Sequence, residues 1–168
     1  NSKSLRRLAA DHSNLHTAGL PPNFLWPPSN SSNSSCCDDL TSLSVLLAGP
    51  EGTPFSSGVF TLTLSIPPTY PSAPPTATFK TKIFHPNVDP GTGSVCVDTL
   101  KRDWKSDLRL RDILVVISCL LISPNPASAL NAEAGRLCEG DFAAFEKRAR
   151  TLVNIHARCS RDLASAVE

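Results

Sequence analysis

The 168-residue sequence predicts an α+β domain, strands first and helices afterwards. Two observations carry that prediction. All 15 prolines lie at or before Pro126, so the front of the chain is punctuated into strands and turns while residues 127–168 are free to run as helices. The hydrophobic period changes in the same direction. Val59-Phe60-Thr61-Leu62-Thr63-Leu64-Ser65-Ile66 alternates with period two, whereas Ile113, Leu114, Ile117, Leu120 and Leu121 recur at helical spacing.

Residues 3–11, Lys-Ser-Leu-Arg-Arg-Leu-Ala-Ala-Asp, predict a short amphipathic helix with Leu5, Leu8 and Ala9 on one face. From His12 to Cys37 there is no Asp, Glu, Lys or Arg; the stretch reads as a solvated connector, with residues 29–35 a flexible polar loop. Strands are expected at Leu43–Leu47, Val59–Ile66 and Thr76–Phe79. The connections Gly49-Pro50-Glu51-Gly52-Thr53-Pro54 and Pro67 to Pro75 carry turn chemistry, so successive strands should form an antiparallel meander. A helix is expected from about 110 to 123, stopped by Ser123-Pro124-Asn125-Pro126. A second should start near Ser128 as N-cap and end at Glu139-Gly140. The third begins at Asp141, another N-cap type, and aligns Phe142, Phe145, Ala149, Leu152 and Ile155 through at least His156.

Composition excludes several functions. The length suits one domain, 1–168, with one core. Sixteen Lys and Arg against fifteen Asp and Glu give a net charge of +1, which lacks the electrostatic footprint of a nucleic-acid binder or a polybasic membrane anchor. No apolar run reaches the roughly 18 to 20 residues of a bilayer crossing, and no apolar signal core follows Asn1. Six cysteines, at 36, 37, 96, 119, 138 and 159, include no C-x-x-C pair and no second cluster for zinc, so no metal is expected. Cys119, Cys138 and Cys159 fall in helical segments and read as core or surface residues. This usage points to a soluble protein of the cytoplasm and/or nucleus. The absence of Met suggests a segment of a longer chain, with a possible tail beyond Glu168.

Residues 82–100, running on to Trp104, form an irregular stretch too long for a mere connector, and loops of that length inside a domain are usually functional. A His, an Asn and a Cys fall together there. A papain-like hydrolase would draw such a triad from across a larger fold, with a deeper cleft.

The run His85-Pro86-Asn87, Cys96 nine residues later, Trp104 and Pro124-Asn125-Pro126 resembles ubiquitin-conjugating enzymes. The likeness spans nearly the whole chain and includes Gly49 to Phe55 and Tyr70-Pro71-Ser72-Ala73-Pro74-Pro75. Lys101-Arg102-Asp103-Trp104, Ser128-Ala129-Leu130-Asn131 and Glu133-Ala134-Gly135-Arg136-Leu137 resemble, within that family, the chain-elongating member that serves the anaphase-promoting complex. The resemblance implies an N-terminal helix, a four-stranded antiparallel sheet and C-terminal helices. It implies ubiquitin, its activating enzyme and a ligase, with the anaphase-promoting complex as the candidate ligase, as partners, and no cofactor, since ATP is consumed by the activating enzyme.

Such an enzyme needs an accessible thiol on a shallow, rigid surface that accepts an acyl group and holds it until an amine attacks. Cys96 is that thiol. When lysine attacks, charge develops on the carbonyl oxygen, where one preorganised donor is worth about 3 to 4 kcal/mol. Asn87 is the candidate donor, and by resemblance His85 is structural support that holds Asn87. A lysine of pKa about 10.4 costs about 4.6 kcal/mol to deprotonate at neutral pH. Many family members place an acid after the Pro-Asn-Pro turn; here Ala127-Ser128 stand there with no carboxylate, and the resemblance to chain-elongating relatives, which also lack this acid, implies that an acceptor ubiquitin completes the site. Glu51, Arg102, Asp103 and Ser128 match positions that could orient that acceptor, with Asp98 and Asp103 as local alternatives for the acid. Ala132 and Gly140 stand where those relatives carry further acids. The family's ligase loops read Ser72 and Ser106-Asp107 here, and Arg6 and Arg7 are candidate ligase or activating-enzyme contacts. Trp104 is expected to anchor packing beneath the active-site loop. The alternative is a catalytically silent variant of the same fold that only binds ubiquitin or a partner.

Overall fold

The computed structural model describes residues 2–28 and 39–158. Helix α1 (Ser2–Thr17) leads into strands β1 (Phe24–Leu25), β2 (Ser42–Ala48), β3 (Val59–Ser65) and β4 (Thr76–Phe79). A short helix α2 (Val97–Lys101) follows, then α3 (Leu110–Ile122), a 3-10 turn (Pro126–Ser128), α4 (Ala132–Gly140) and α5 (Phe142–His156). The four strands form an antiparallel meander in the order β1-β2-β3-β4. The α+β architecture, with its N-terminal helix, four-stranded sheet and C-terminal helices, is as expected.

Period-two alternation does in β3 what it should: Phe60, Leu62 and Leu64 are buried while Ser65 faces water and Thr61 and Thr63 are half-buried. Leu47 lies opposite Phe60 and Leu62 opposite Phe79, so the buried faces of β2, β3 and β4 coincide. The helices pack on one another, α1 against α3 and α4 against α5, and their buried residues join those of the sheet in one core. Phe55 links the layers, its ring 6.2 Å from Phe60 and 6.5 Å from Phe145, both edge-on. Each fully buried Phe or Leu here contributes about 2 kcal/mol relative to exposure. Two glycines allow close backbone approach. A Cβ on Gly49 would stand 1.8 Å from the Phe55 carbonyl oxygen. Gly93 has φ +77° and receives the Phe79 N–H on its carbonyl at 2.8 Å, tying the loop after β4 to the sheet.

Several expectations change. The first helix runs to Thr17 rather than Asp11, and its buried stripe is Leu8, Asp11 and Leu15, with Leu5 59% exposed. The stretch read as connector contains β1, whose Phe24 and Leu25 pair with Leu47 and Leu46. Residues 29–35 lie outside the described residues, as do Cys36, Cys37 and Cys159. Asn131, not Ser128, caps α4, its Oδ1 accepting the Ala134 N–H at 3.0 Å, because the 3-10 turn delays the helix. Asp141 caps α5 as expected, at 3.1 Å from the Ala144 nitrogen. The buried side of α5 is Phe145, Ala149 and Val153; Phe142 and Ile155 are turned to solvent.

Candidate active site

His85 and Asn87 are each fully buried. The Asn87 backbone N–H donates to His85 Nδ1 at 3.0 Å, which makes Nδ1 an acceptor and leaves the ring proton on Nε2. Nε2 then donates to the Leu120 carbonyl at 2.7 Å. Burial pushes the imidazole pKa down to about 4, partly opposed by that carbonyl, so His85 is neutral at physiological pH. With both nitrogens occupied, the ring has no means to act as a base.

The Asn87 side chain reaches across to the turn after α3. Its Nδ2 donates to Asn125 O at 2.7 Å and to Ser128 O at 3.2 Å, while Oδ1 accepts the Asn125 N–H at 2.8 Å. Leu130 and Asn131 N–H groups close the same seam by donating to Pro86 O at 2.8 and 3.1 Å. The sequence-expected pair therefore binds two distant segments, 85–88 and 125–131, into one rigid wall.

Cys96 stands at the end of the following loop and is the N-cap residue of α2. Its N–H donates to Asn87 O at 2.9 Å, and Val88 and Val95 form a bridge just before it, so the nucleophile candidate and Asn87 share one tight loop. Cys96 is only 5% exposed, less than the open thiol that the sequence suggests, because those backbone bonds draw it against the 85–88 turn. Of the two readings left open for Cys119, core or surface, the structure gives surface: it is exposed on α3. It belongs to a strip that sequence reading misses: Val115, Cys119 and Ile122, flanked by Val116, all facing solvent on α3 and running toward the 123–128 turn. The signal was there in the residues left over once Ile113, Leu114, Ile117, Leu120 and Leu121 are assigned to the core.

Glu51, Arg102 and Asp103 are exposed, the last two just after α2. Ser128 is half-buried in the 3-10 turn, its Oγ 3.4 Å from Asn125 Nδ2 and its carbonyl on Asn87. Asp98 is exposed on α2, next but one to Cys96. Among the described residues, no three His, Cys, Asp or Glu side chains gather so as to hold a metal ion, and no helix is long and apolar enough to cross a membrane.

Arg6 and Arg7 part ways. Arg6 is exposed. Arg7 is spent inside the molecule: Nε pairs with buried Asp11 at 3.0 Å, and Nη1 and Nη2 donate to the carbonyls of Ser106, Asp107 and Leu108 at 3.1, 3.2 and 2.5 Å. Asp11 also receives Arg109 Nη1 at 3.2 Å and the Tyr70 hydroxyl. Burial first, and then the Asp11 hydrogen bond, hold the Tyr70 phenol far above its ordinary pKa. Trp104 packs on Tyr70 with ring centroids 6.0 Å apart, and its Nε1 donates to Pro71 O at 2.9 Å. It thus anchors the post-α2 loop to the proline-rich turn.

The family model for ubiquitin-conjugating enzymes matches residues 23–153. Ubiquitin-conjugating enzyme E2 S of Homo sapiens is 47% identical over 140 residues, covering 78% of this chain and 63% of that protein. The protein of the same name from Aquarana catesbeiana is 49% identical over 123 residues, 73% of this chain and 58% of its own length. The chain thus spans about three fifths of the length of these relatives. A crystal structure from Plasmodium yoelii, of a protein assigned to the ubiquitin-conjugating enzymes, superposes with a TM-score of 0.78 at 32% identity, covering 95% of this chain and 99% of that one.

Proposed function

The chain belongs to the ubiquitin-conjugating enzyme family, and from that premise we propose that it carries ubiquitin as a thioester on Cys96 and passes it to a lysine amine, elongating a chain on an acceptor ubiquitin. The observation that carries this reading is the wall beside Cys96. Asn87 O holds the Cys96 N–H, Asn87 is locked to Asn125 and Ser128, and the only nearby imidazole is neutral with both nitrogens used. A thiol in a rigid frame without a paired base suits an acyl carrier better than a hydrolase, which needs a base to activate water.

Its partners on this reading are ubiquitin, the activating enzyme and a ubiquitin ligase, the anaphase-promoting complex being the ligase that kinship with E2 S suggests. The solvent-facing strip Val115, Cys119 and Ile122 leads from the 123–128 turn and offers the tethered ubiquitin an apolar surface beside its own linkage. Asn87 is the proposed oxyanion donor, and the longer of the two bonds its Nδ2 donates, to Ser128 O, is the one it would exchange for the substrate oxygen. Glu51, Arg102, Asp103 and Ser128 are proposed to orient the acceptor, and Arg6, rather than the engaged Arg7, to meet the activating enzyme or ligase. The free Cys96, Cys119 and Cys138 suit the cytoplasm and/or nucleus.

With activating enzyme, ubiquitin and ATP, the protein should gain one ubiquitin in a thiol-reducible adduct, and Cys96→Ala should abolish it. An adduct that survives Cys96→Ala but vanishes with Cys119→Ala would overturn the assignment. One observation favours the second reading, a silent binder of the same fold: the 5% exposure of Cys96. A protein that never discharges ubiquitin to free lysine or to ubiquitin, with or without ligase, would establish it.

A further inference from the structure

A proline-directed kinase needs a serine or threonine hydroxyl that is open to water, followed by proline and carried on extended backbone. The chain has two such dipeptides, Thr53-Pro54 and Ser123-Pro124. Burial separates them. Thr53 is 6% exposed, its hydroxyl donating to Pro50 O at 2.6 Å and accepting the Phe55 N–H at 3.3 Å. Ser123 is exposed, with φ -132° and ψ 87°, and Asn125 two residues on is extended as well, at φ -107° and ψ 90°. The proline is the reason: its ring keeps the residue before it out of the helical region, so α3 ends there. Ser123 stands at a junction of the site. Its N–H donates to Cys119 O at 2.8 Å, Ile122 beside it is 61% exposed, and Asn125 both gives its N–H to Asn87 and receives the Asn87 amide.

We propose that Ser123 is a phosphoacceptor for a proline-directed kinase, and that its phosphate closes the strip of Val115, Cys119 and Ile122 to the tethered ubiquitin and so slows discharge. The effect on discharge rests on the thioester reading above; the modification itself does not. Ser123 Oγ attacks the γ-phosphorus of ATP and gives its proton to the base of the kinase. The new O–P bond forms as the bond to the β-phosphate oxygen breaks, and ADP leaves. The product carries about -1.5 to -2 charges at neutral pH. It stands at the negative end of α3, whose last turn holds no basic side chain to pair with it. One residue away is the apolar strip, and an apolar contact made over a dianion must take water from that charge. The tethered ubiquitin reaches the strip only once the thioester exists, so charging is spared.

The test treats the folded protein with ATP and, in separate samples, a cyclin-dependent and a mitogen-activated kinase, and locates phosphate by fragment mass spectrometry. Ser123 should take up one phosphate and Thr53 none, and Ser123→Ala should remove the signal. Phosphorylated protein, once loaded, should discharge to free lysine about tenfold more slowly in single turnover, with charging within about twofold of the untreated protein and thermal unfolding unchanged. Phosphatase should restore the rate, and kinase treatment of Ser123→Ala should leave that variant's own rate where it was. No phosphate on Ser123 with either kinase would overturn the proposal. So would phosphate on Ser123 with discharge unchanged or faster. Equal loss of charging and discharge in a less stable protein would also overturn it, since the phosphate would then be breaking the wall around Asn87 rather than closing the strip. If the untreated protein forms no thiol-reducible adduct, the thioester reading fails and the effect on discharge with it, while the mass spectrum still decides the phosphoacceptor.

Discussion

Acidification should release the wall beside Cys96 through His85. Folding lowers this imidazole from an ordinary 6.5 to about 4. The folded state therefore binds fewer protons than the unfolded chain across that window, and stability must fall as pH falls. The contribution is present in full above about 6.5 and is lost progressively down to about 4. At about 1.4 kcal/mol per pH unit, the gap amounts to about 3 kcal/mol, a large share of the 5 to 15 kcal/mol typical of a domain. The consequence is local as well as global, because protonating Nδ1 removes the acceptor of the Asn87 N–H. Urea unfolding of the parent at pH 7.5, 6.5, 5.5 and 4.5 should show stability dropping between the last three, beside a His85→Gln variant in which this part of the slope is gone. Following the ring by NMR gives the direct reading. An imidazole that titrates near 6.5, or equal slopes in parent and variant, would refute the argument that His85 is a neutral prop.

Asn87→Ala removes three hydrogen bonds to Asn125 and Ser128 and should cost about 3 kcal/mol in denaturant unfolding. If Asn87 also serves as oxyanion donor, discharge should fall by about a hundredfold while charging falls far less; equal loss in both would leave it only its structural part. Asp11→Asn leaves Arg7 without its buried anion, and since Arg109 is half exposed the cost should be about 2 to 3 kcal/mol, with a change under 0.5 kcal/mol counting against the clamp. Ser128→Asp places an acid in the turn that holds Asn87 and should raise discharge to free lysine by about one to two orders of magnitude. No rise, with equal parental rates for lysine and ubiquitin, would remove the case for an acceptor that completes the site.

What could be read from sequence was whatever is written in local periodicity or a compact motif. The period-two run of β3, the stripe of α3 and the Asp141 cap stand where expected, because each depends on neighbours within one turn or one strand. His85, Asn87 and Cys96 fall together for the same reason. β1 escaped notice because two residues show no alternation, and its pairing with Leu46 and Leu47 is a tertiary fact. The end of α1 was hidden by the poor helix formers His12, Ser13 and Asn14, although Leu15 lies two turns beyond Leu8 and is buried with it. Asp11 misled most: a carboxylate in the middle of a buried stripe makes sense only with Arg7, Tyr70 and Arg109, the last 98 residues away.

The engagement of Arg7 with the carbonyls of Ser106, Asp107 and Leu108 also bears on how another protein would meet this side of the molecule. The segment between Trp104 and α3 and the helix behind it are joined into one body before any encounter. A partner that docks across both finds them in fixed register and is spared the about 0.5 to 1.5 kcal/mol per side chain that ordering a loose loop would cost. The same arrangement withdraws one guanidinium from the charge shown to water, so a partner would meet less positive charge here than the two adjacent arginines of the sequence suggest. Loosening the clamp would therefore widen the range of partners accepted on this face, rather than weaken any single contact.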